Sequence, residues 1–281
     1  MNLLDIDGLS CSDIFNIFRL TDEIKTGMHK NFLIGKTFIL FFPESSLRTR
    51  ISFERGIKDL GGECIIFPPE ALDKKEQLTD VIKYIENWAH GVIVRHSDFL
   101  KITELARHSN IPVINAMTTV NHPCEILSDL YAISKRREQY QNLTYTFVGP
   151  GGNICRSWLN AAEVMDLKFN HVCLKGHEMS CDSKNYKFYT DLNEVIIFSD
   201  VVLTDSLPDE LRNEQYIAKY QITLERMKMA PKGAMLNPCP PFFRSEEVSE
   251  EAISSEYFVG YTFKEDLLFV QQAVIMQCLL T

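Results

Sequence analysis

The 281-residue chain has no two cysteines at Cys-x-x-Cys spacing, although it contains eight cysteines. The absence of this spacing argues against a zinc site and against a disulfide framework, and it favours reduced, mostly buried thiols. No apolar run approaches the roughly 20 residues that a transmembrane helix needs, and residues 1–7 lack the basic segment of a secretory signal. We therefore expect no membrane partner, and the cytoplasm is the expected compartment.

Positive charge is also in deficit. The 29 lysines and arginines stand against 38 acidic residues, which leaves a formal net charge of −9. This balance argues against nucleic acid as a general partner. It also means that any anion site must be a local concentration of basic residues. We find no internal repeat and no low-complexity tract, and the length allows one large or two ordinary domains.

What the chain does contain is a regular alternation of strand and helix patterns. A capped helix is predicted at 13–25. Strands are predicted at 37–42, 63–67, 91–95 and 112–115, separated by helices at 47–60, 77–89 and 100–109. A long helix at 123–138 precedes a second series of strands at 144–148, 171–174, 200–204, 233–236 and 257–261, and a last helix spans 266–280. The pattern predicts an α/β fold with two similar domains, each a mostly parallel sheet flanked by helices. The long helix would join them, with the boundary near residues 125–140.

The segment after the first strand is the most informative one. Ser45 or Ser46 suits the N-cap of a helix whose predicted apolar face includes Leu47 and Ile51. The first turn of a helix offers unpaired backbone N–H groups and the positive end of its dipole, and both favour an oxyanion. Arg48 and Arg50 lie two residues apart and cannot share a face. We expect Arg48 to face the anion and Arg50 to form structural ion pairs; the alternative is an ordinary capped helix with exposed arginines.

The run Ser46-Leu47-Arg48-Thr49-Arg50, followed by Leu60-Gly61-Gly62, resembles the Ser-Thr-Arg-Thr-Arg signature of the aspartate and ornithine carbamoyltransferases. Leu47 replaces a threonine of that signature but keeps its backbone N–H. The resemblance implies that Ser46, Leu47, Arg48 and Thr49 bind the phosphate end of carbamoyl phosphate. It also implies that neither a metal nor another cofactor is needed.

Two further segments resemble parts of the same site. Arg95 ends a predicted strand and matches the family arginine that contacts carbamoyl phosphate. The segment from His122 to Glu125 resembles His-Pro-x-Gln, whose histidine donates to the carbamoyl oxygen and whose glutamine accepts from the carbamoyl NH₂. The resemblance thus implies that Arg48, Thr49, Arg95 and His122 are catalytic. Glu125 departs from the pattern: its carboxylate can still accept from an NH₂ group, but it would repel a phosphate dianion or rise in pKa to avoid doing so.

The second half of the chain carries the residues that the resemblance assigns to the other substrate. Asn153, in a glycine-rich turn before a helix predicted to open at Ser157, matches the asparagine that holds the amino acid in ornithine carbamoyltransferases. Asp205 ends a strand and matches the aspartate that pairs with the α-amino group. The residues that follow Asp205 do not match the family, so the sequence does not determine which acceptor substrate binds.

Near the C-terminus some residues match the family pattern and others depart from it. The segment containing Cys239 and Pro240 resembles the turn whose carbonyls bind the carbamoyl group, although Asn237 replaces a histidine. Arg244 matches a supporting arginine. Leu267 stands where ornithine carbamoyltransferases have an arginine for the carbamoyl oxygen.

The pair Lys74 and Lys75 in a polar loop is on its own an ordinary solvated charge run. It resembles the mobile family loop whose lysine reaches a neighbouring subunit, and either residue could align, so a homotrimer is implied. The implied domains are a carbamoyl-phosphate-binding domain at 1–130, completed by the helix at 265–281, and an amino-acid-binding domain at 131–264.

The function that the resemblance implies is transfer of the carbamoyl group of carbamoyl phosphate to the amine of an ornithine-like amino acid. Three alternatives stay open at this point. They are a diverged member that binds phosphate-type anions without transfer, an aspartate-type carbamoyltransferase, and an enzyme with a changed donor.

Overall fold

The computed structural model describes all 281 residues, which form eleven α-helices and nine strands. The elements up to the middle of the chain are α1 (Cys11–Lys25), β1 (Thr37–Phe41), α2 (Leu47–Asp59), β2 (Glu63–Phe67), α3 (Leu78–Ile85), β3 (Gly91–Arg95), α4 (Phe99–His108), β4 (Val113–Met117) and α5 (Pro123–Arg136). They are followed by β5 (Thr144–Val148), α6 (Asn153–Met165), β6 (Lys168–Val172), β7 (Tyr186–Tyr189), α7 (Leu192–Ile196), β8 (Val201–Thr204), α8 (Glu214–Tyr220), α9 (Leu224–Met229), β9 (Met235–Pro238), α10 (Glu250–Ile253) and α11 (Asp266–Leu280). Short 3₁₀ helices include Pro69–Asp73 and Tyr261–Glu265.

The chain divides into two compact units, each with its own parallel sheet. The first unit comprises Met1–Ala132 and Lys264–Thr281, and the second comprises Ile133–Phe263. The division falls within α5. The predicted α/β fold class with two parallel-sheet domains is confirmed. No helix of the structure has both the length and the apolar character needed to cross a membrane.

The first unit is built on a four-stranded sheet with the order β2-β1-β3-β4, in which every pairing is parallel. The central strands are buried, as the continuous apolar runs of β1 and β3 require. Helix α11 packs against α1 and α2. Gly56 of α2 permits this close approach, because a Cβ there would lie 3.1 Å from the Cγ atom of Gln272.

The buried face of α2 differs from the predicted one. Leu47 is 63% exposed and Ile51 is 55% exposed, whereas Thr49, Phe53 and Ile57 are buried. The predicted face also included Glu54, Ile57 and Leu60, and the last two are buried. The prediction was therefore wrong at Leu47 and Ile51, where the helix instead turns the small polar residue at position 49 inward. This inward orientation places the Thr49 hydroxyl next to the carboxyl end of the sheet.

The second unit is built on a five-stranded parallel sheet with the order β7-β6-β5-β8-β9. Three strand predictions differ from the structure here, and one strand was missed. Strands β6 and β9 lie a few residues from their predicted positions, the segment 257–261 forms only an isolated bridge between Phe258 and Leu236, and the aromatic-rich strand β7 was not predicted. In this unit the topological switch point lies beside β5, since β6 pairs on one side and β8 on the other. Ligands of open α/β sheets bind at the carboxyl ends of strands near such a point.

Candidate functional site

The start of α2 is not capped by a side chain. Ser46 occupies the N-cap position, but its hydroxyl makes no capping hydrogen bond. The predicted N-cap position is therefore confirmed at Ser46, but no side chain occupies the N–H groups of the first turn. The Leu47 N–H donates to the carbonyl of Ser45 at 3.0 Å, so it would have to exchange that partner to bind a ligand.

Arg95 lies against this helix start. It ends β3, which pairs in parallel with β1, so the carboxyl ends of the two strands are neighbours. The Nη1 atom of Arg95 donates to the Ser46 hydroxyl at 3.1 Å and to the Thr49 hydroxyl at 3.4 Å. Both hydroxyls belong to buried residues. Three residues that the sequence singled out, from two separate motifs, thus meet at the end of one sheet.

The two arginines of α2 take different positions. Arg48 is exposed and forms no ion pair or hydrogen bond. Arg50 lies closer to its own helix, where its Nε atom is 3.8 Å from the Oε2 atom of Glu54. Arg48 is therefore the guanidinium available for an incoming anion, and Arg50 is the one engaged in an internal pair.

His122 immediately precedes α5 and is buried. The pKa of His122 is lowered to about 4, chiefly by burial; the cations Arg95 and Lys264 also lower it, while Glu125 opposes them. The imidazole is therefore neutral at pH 7, with one ring nitrogen protonated and the other not. Such a ring can donate a hydrogen bond to a carbonyl oxygen without carrying a charge.

Glu125, which lies three residues after His122, is ionised. Burial by itself would raise its pKa, but Lys264, His122 and Arg48 outweigh burial and hold the pKa of Glu125 below its usual value. The Nζ atom of Lys264 lies 2.6 Å from Glu125 Oε1 and 2.5 Å from Asp129 Oδ1. A rise in the pKa of Glu125 next to a bound phosphate dianion stays a prediction.

Sequence reasoning missed Lys264 and Asp129. One signal was present: Glu125 and Asp129 are four residues apart and share a face of a helix that is otherwise apolar. Two carboxylates on a buried helix face are expected to pair with a cation, because an uncompensated buried charge is strongly destabilising. Nothing in the local pattern pointed to a lysine 139 residues later as that cation.

In the second unit, Asn153 is the first residue of α6. The helix begins four residues before the predicted start at Ser157, because Gly152 takes the N-cap position. The Oδ1 atom of Asn153 accepts from the Ile154 N–H at 2.8 Å. The turn before it is held by His171, a buried residue whose Nε2 donates to the carbonyl of Gly149 at 2.8 Å.

Asp205 directly follows β8, at the same edge of the sheet. Its Oδ1 atom accepts from the Ser206 N–H at 2.9 Å. The Cys239 N–H donates to the carbonyl of Thr204 at 2.8 Å, which brings the turn of Cys239 and Pro240 beside Asp205. Asn237 is buried within β9. Asn153, Asp205 and this turn therefore lie at the carboxyl ends of adjacent strands.

The remaining predicted residues lie outside these clusters. Arg244 is exposed, pairs with Glu250 at 2.9 Å and donates to the Tyr261 hydroxyl at 3.3 Å, which supports the turn that it follows. Leu267 is buried in the first turn of α11.

Lys74 and Lys75 are exposed in the loop before α3. The base of that loop is anchored to the carboxyl end of β3. The carboxylate of Asp73 lies 3.1 Å from the Nε2 atom of His96 and also pairs with Lys101.

Comparison with known proteins also divides the chain into two parts, although the second family model includes residues 264–278, which belong to the first compact unit. Residues 1–135 match the family model described as aspartate/ornithine carbamoyltransferase, carbamoyl-P binding domain, and residues 141–278 match the model for the Asp/Orn binding domain. The chain is 32% identical to an ornithine carbamoyltransferase of Syntrophus aciditrophicus and 30% identical to one of Methanobrevibacter smithii, and both alignments cover 98% of each chain.

Solved structures agree with this result. The ornithine carbamoyltransferase of Burkholderia thailandensis is 27% identical with a TM-score of 0.90, and the alignment covers 99% of this chain and 98% of that one. The enzyme of Thermus thermophilus, with the same identity and coverage, gives a TM-score of 0.89.

Proposed function

The chain belongs to the aspartate/ornithine carbamoyltransferase family, and from that premise we propose that it transfers the carbamoyl group of carbamoyl phosphate to the amine of an ornithine-like amino acid. The observation that carries the proposal is the contact of Arg95 with Ser46 and Thr49 at an uncapped helix start. It concentrates donors for a dianion in a protein whose net charge is −9.

The phosphate end of the donor would bind at α2. Ser46 and Thr49 offer hydroxyls, the Leu47 and Arg48 N–H groups offer backbone donors, and the exposed Arg48 side chain adds a guanidinium that can bind two oxygens at once. Arg95 already donates to the two hydroxyls and reaches the same place. Phosphate leaves with both electrons of the broken C–O bond, and these donors stabilise its added charge.

The carbamoyl end would lie near His122. A neutral imidazole donates to the carbonyl oxygen, whose charge grows when the amine adds to the carbon, and Arg95 and Thr49 assist it. Glu125 accepts from the NH₂ group, a role that the resemblance to the family also gives to the backbone carbonyls of Cys239 and Pro240. The reaction forms a C–N bond, breaks the C–O bond to phosphate and releases one proton from the amine. Positioning of the two reactants supplies up to roughly 7–11 kcal/mol of the lowered barrier.

The acceptor would bind in the second unit. Asn153 and Asp205 lie at the edge of the sheet where ligands of this fold class bind, and they suit an α-amino acid: the carboxylate of Asp205 pairs with the α-ammonium group, and the Asn153 amide bonds the amino acid. An ornithine-like side chain then carries the attacking amine. Residues 1–130 with 265–281 act as the carbamoyl-phosphate-binding domain, and 131–264 act as the amino-acid-binding domain.

The proposal extends to assembly and compartment. A homotrimer would let Lys74 or Lys75, on a loop whose base is anchored at Asp73, contribute to a neighbouring subunit's site. All eight cysteines are free thiols, which suits a reducing cytoplasm. Sedimentation would give the mass of the assembly.

Isothermal titration with carbamoyl phosphate tests the donor, and a transfer assay with radiolabelled carbamoyl phosphate over a panel of amino acids tests the acceptor. We expect binding at millimolar ligand or below, and a ureido product with ornithine or a close relative. Absence of binding at millimolar carbamoyl phosphate would sink the proposed donor, while a product formed only with aspartate would overturn the proposed acceptor.

A further inference from the structure

The first unit contains a buried ion cluster to which the proposed chemistry gives no role as a whole. Lys264 lies between Glu125 and Asp129, with Nζ–O distances of 2.6 and 2.5 Å. The two carboxylate side chains are 7% and 3% exposed, and the lysine side chain is 20% exposed. The cluster adjoins His122, because Glu125 and Lys264 both act on the imidazole.

The cluster destabilises the folded protein unless both carboxylates and the lysine are present. Glu125 and Asp129 lie one turn apart on the same face of α5, so their charges repel each other in a medium of low polarity. Removing one partner of a buried pair leaves an uncompensated charge. The lysine comes from the 3₁₀ helix just before α11, and the whole cluster lies within one compact unit.

We propose that Lys264 is a positioning residue for the carbamoyl-phosphate donor: it neutralises Glu125 and fixes that carboxylate as an acceptor for the NH₂ group beside His122. This inference rests on the proposed function. It explains how an acid is tolerated next to a site for a dianion, since Lys264 offsets one of the two negative charges and holds the Glu125 oxygen in place.

The groups that face Glu125 determine its charge. They are the cations Lys264 and Arg48, the neutral His122, and the carboxylate of Asp129 together with the Cys124 thiol. Without Lys264 the burial of Glu125 and the nearby Asp129 would raise its pKa. At high pH the carboxylate would then repel the donor, and at low pH it would be protonated and neutral.

The test compares the native protein with K264M by titration with carbamoyl phosphate and, separately, with inorganic phosphate, between pH 6 and 9. At pH 8 to 9 we expect the Kd of K264M for carbamoyl phosphate to rise at least about tenfold, the effect of one pKa unit of differential interaction. The ratio to native should shrink as the pH falls. Inorganic phosphate, which lacks the NH₂ group, should weaken less, and K264R should restore binding. K25M, which breaks the pair of Lys25 with Asp266 in the same unit, is the matched control and should bind as native does.

The triple variant E125Q/D129N/K264M, compared with E125Q/D129N, separates positioning from general stability. With neutral amides at positions 125 and 129 neither of the two carboxylates that pair with Lys264 remains, so the Kd of the triple variant should equal that of E125Q/D129N within threefold and should not change with pH beyond the change seen for E125Q/D129N. The same comparison carries the test if K264M itself does not fold. A native-like Kd in K264M, or a tenfold difference between E125Q/D129N and the triple variant, would overturn the inference. If the native protein binds neither ligand, the proposed function fails instead.

Discussion

Replacing Arg95 by methionine is the perturbation that tests the site most directly. The change keeps the length of the aliphatic stem and removes the guanidinium whose Nη1 atom lies 3.1 Å from the Ser46 hydroxyl and 3.4 Å from the Thr49 hydroxyl. It removes one positive charge from the place where the proposed phosphate binds. It also removes a group that lowers the pKa of His122.

The magnitude follows from the contacts. A hydrogen bond to a charged group contributes about 1.5–3 kcal/mol. Losing one such bond to carbamoyl phosphate therefore weakens binding by roughly 10- to 150-fold. The folded protein loses a donor to two buried hydroxyl oxygens, so we expect a stability loss of about 1 kcal/mol, the net contribution of a typical hydrogen bond. R95K keeps the charge without the planar fork, and its Kd should fall between those of the native protein and R95M.

The assay is isothermal titration with carbamoyl phosphate at pH 7.5, with denaturant unfolding as the check on folding. Arg55→Met is the matched control, because this α2 arginine is 69% exposed and pairs only with Asp59, at 3.2 Å. If R95M bound carbamoyl phosphate within twofold of the native protein while remaining folded, the reasoning that places phosphate at this helix start would be refuted.

Other variants test the remaining parts of the reasoning. Phe53→Ala should lower the free energy of unfolding by about 3–5 kcal/mol, whereas Ile51→Ala should change it by less than about 0.5 kcal/mol, because the first side chain is buried and the second is exposed; urea titration measures both. His122, with a pKa of about 4 against 6.5 in the unfolded chain, binds its proton more weakly when folded, so it lowers stability progressively as the pH falls from about 7 to 4. His122→Asn should flatten that part of the stability–pH curve, and an unchanged slope would contradict the assignment. Asp205→Asn should raise the KM for the amino-acid acceptor at least about tenfold while leaving the Kd for carbamoyl phosphate within twofold; a loss of both would show that its role is not specific to the acceptor.

The sequence was sufficient for elements whose pattern is local. Strands β2, β3 and β5 and helix α11 occupy their predicted residues, because a buried strand needs only a short apolar run and a helix only a repeat of three to four residues. Strand β7 was missed since its residues are mostly polar or aromatic and lie at the edge of the sheet. The burial of Thr49 was missed for a related reason. A polar residue is predicted to be exposed unless a buried hydrogen-bond partner is known, and the partner of Thr49 is the distant Arg95.

The alternation of strands and helices, and the residue types at the anion site, follow from the sequence alone, because they depend on neighbours within a few positions. Which partner each polar side chain takes was decided by the tertiary structure. Ser46 bonds to Arg95, 49 residues away, instead of capping its own helix, and Glu125 is neutralised by Lys264, 139 residues away. Such pairs form only when the sheet and the terminal helix bring distant segments together, since the cost of burying a charge is met by whichever opposite charge folding places beside it.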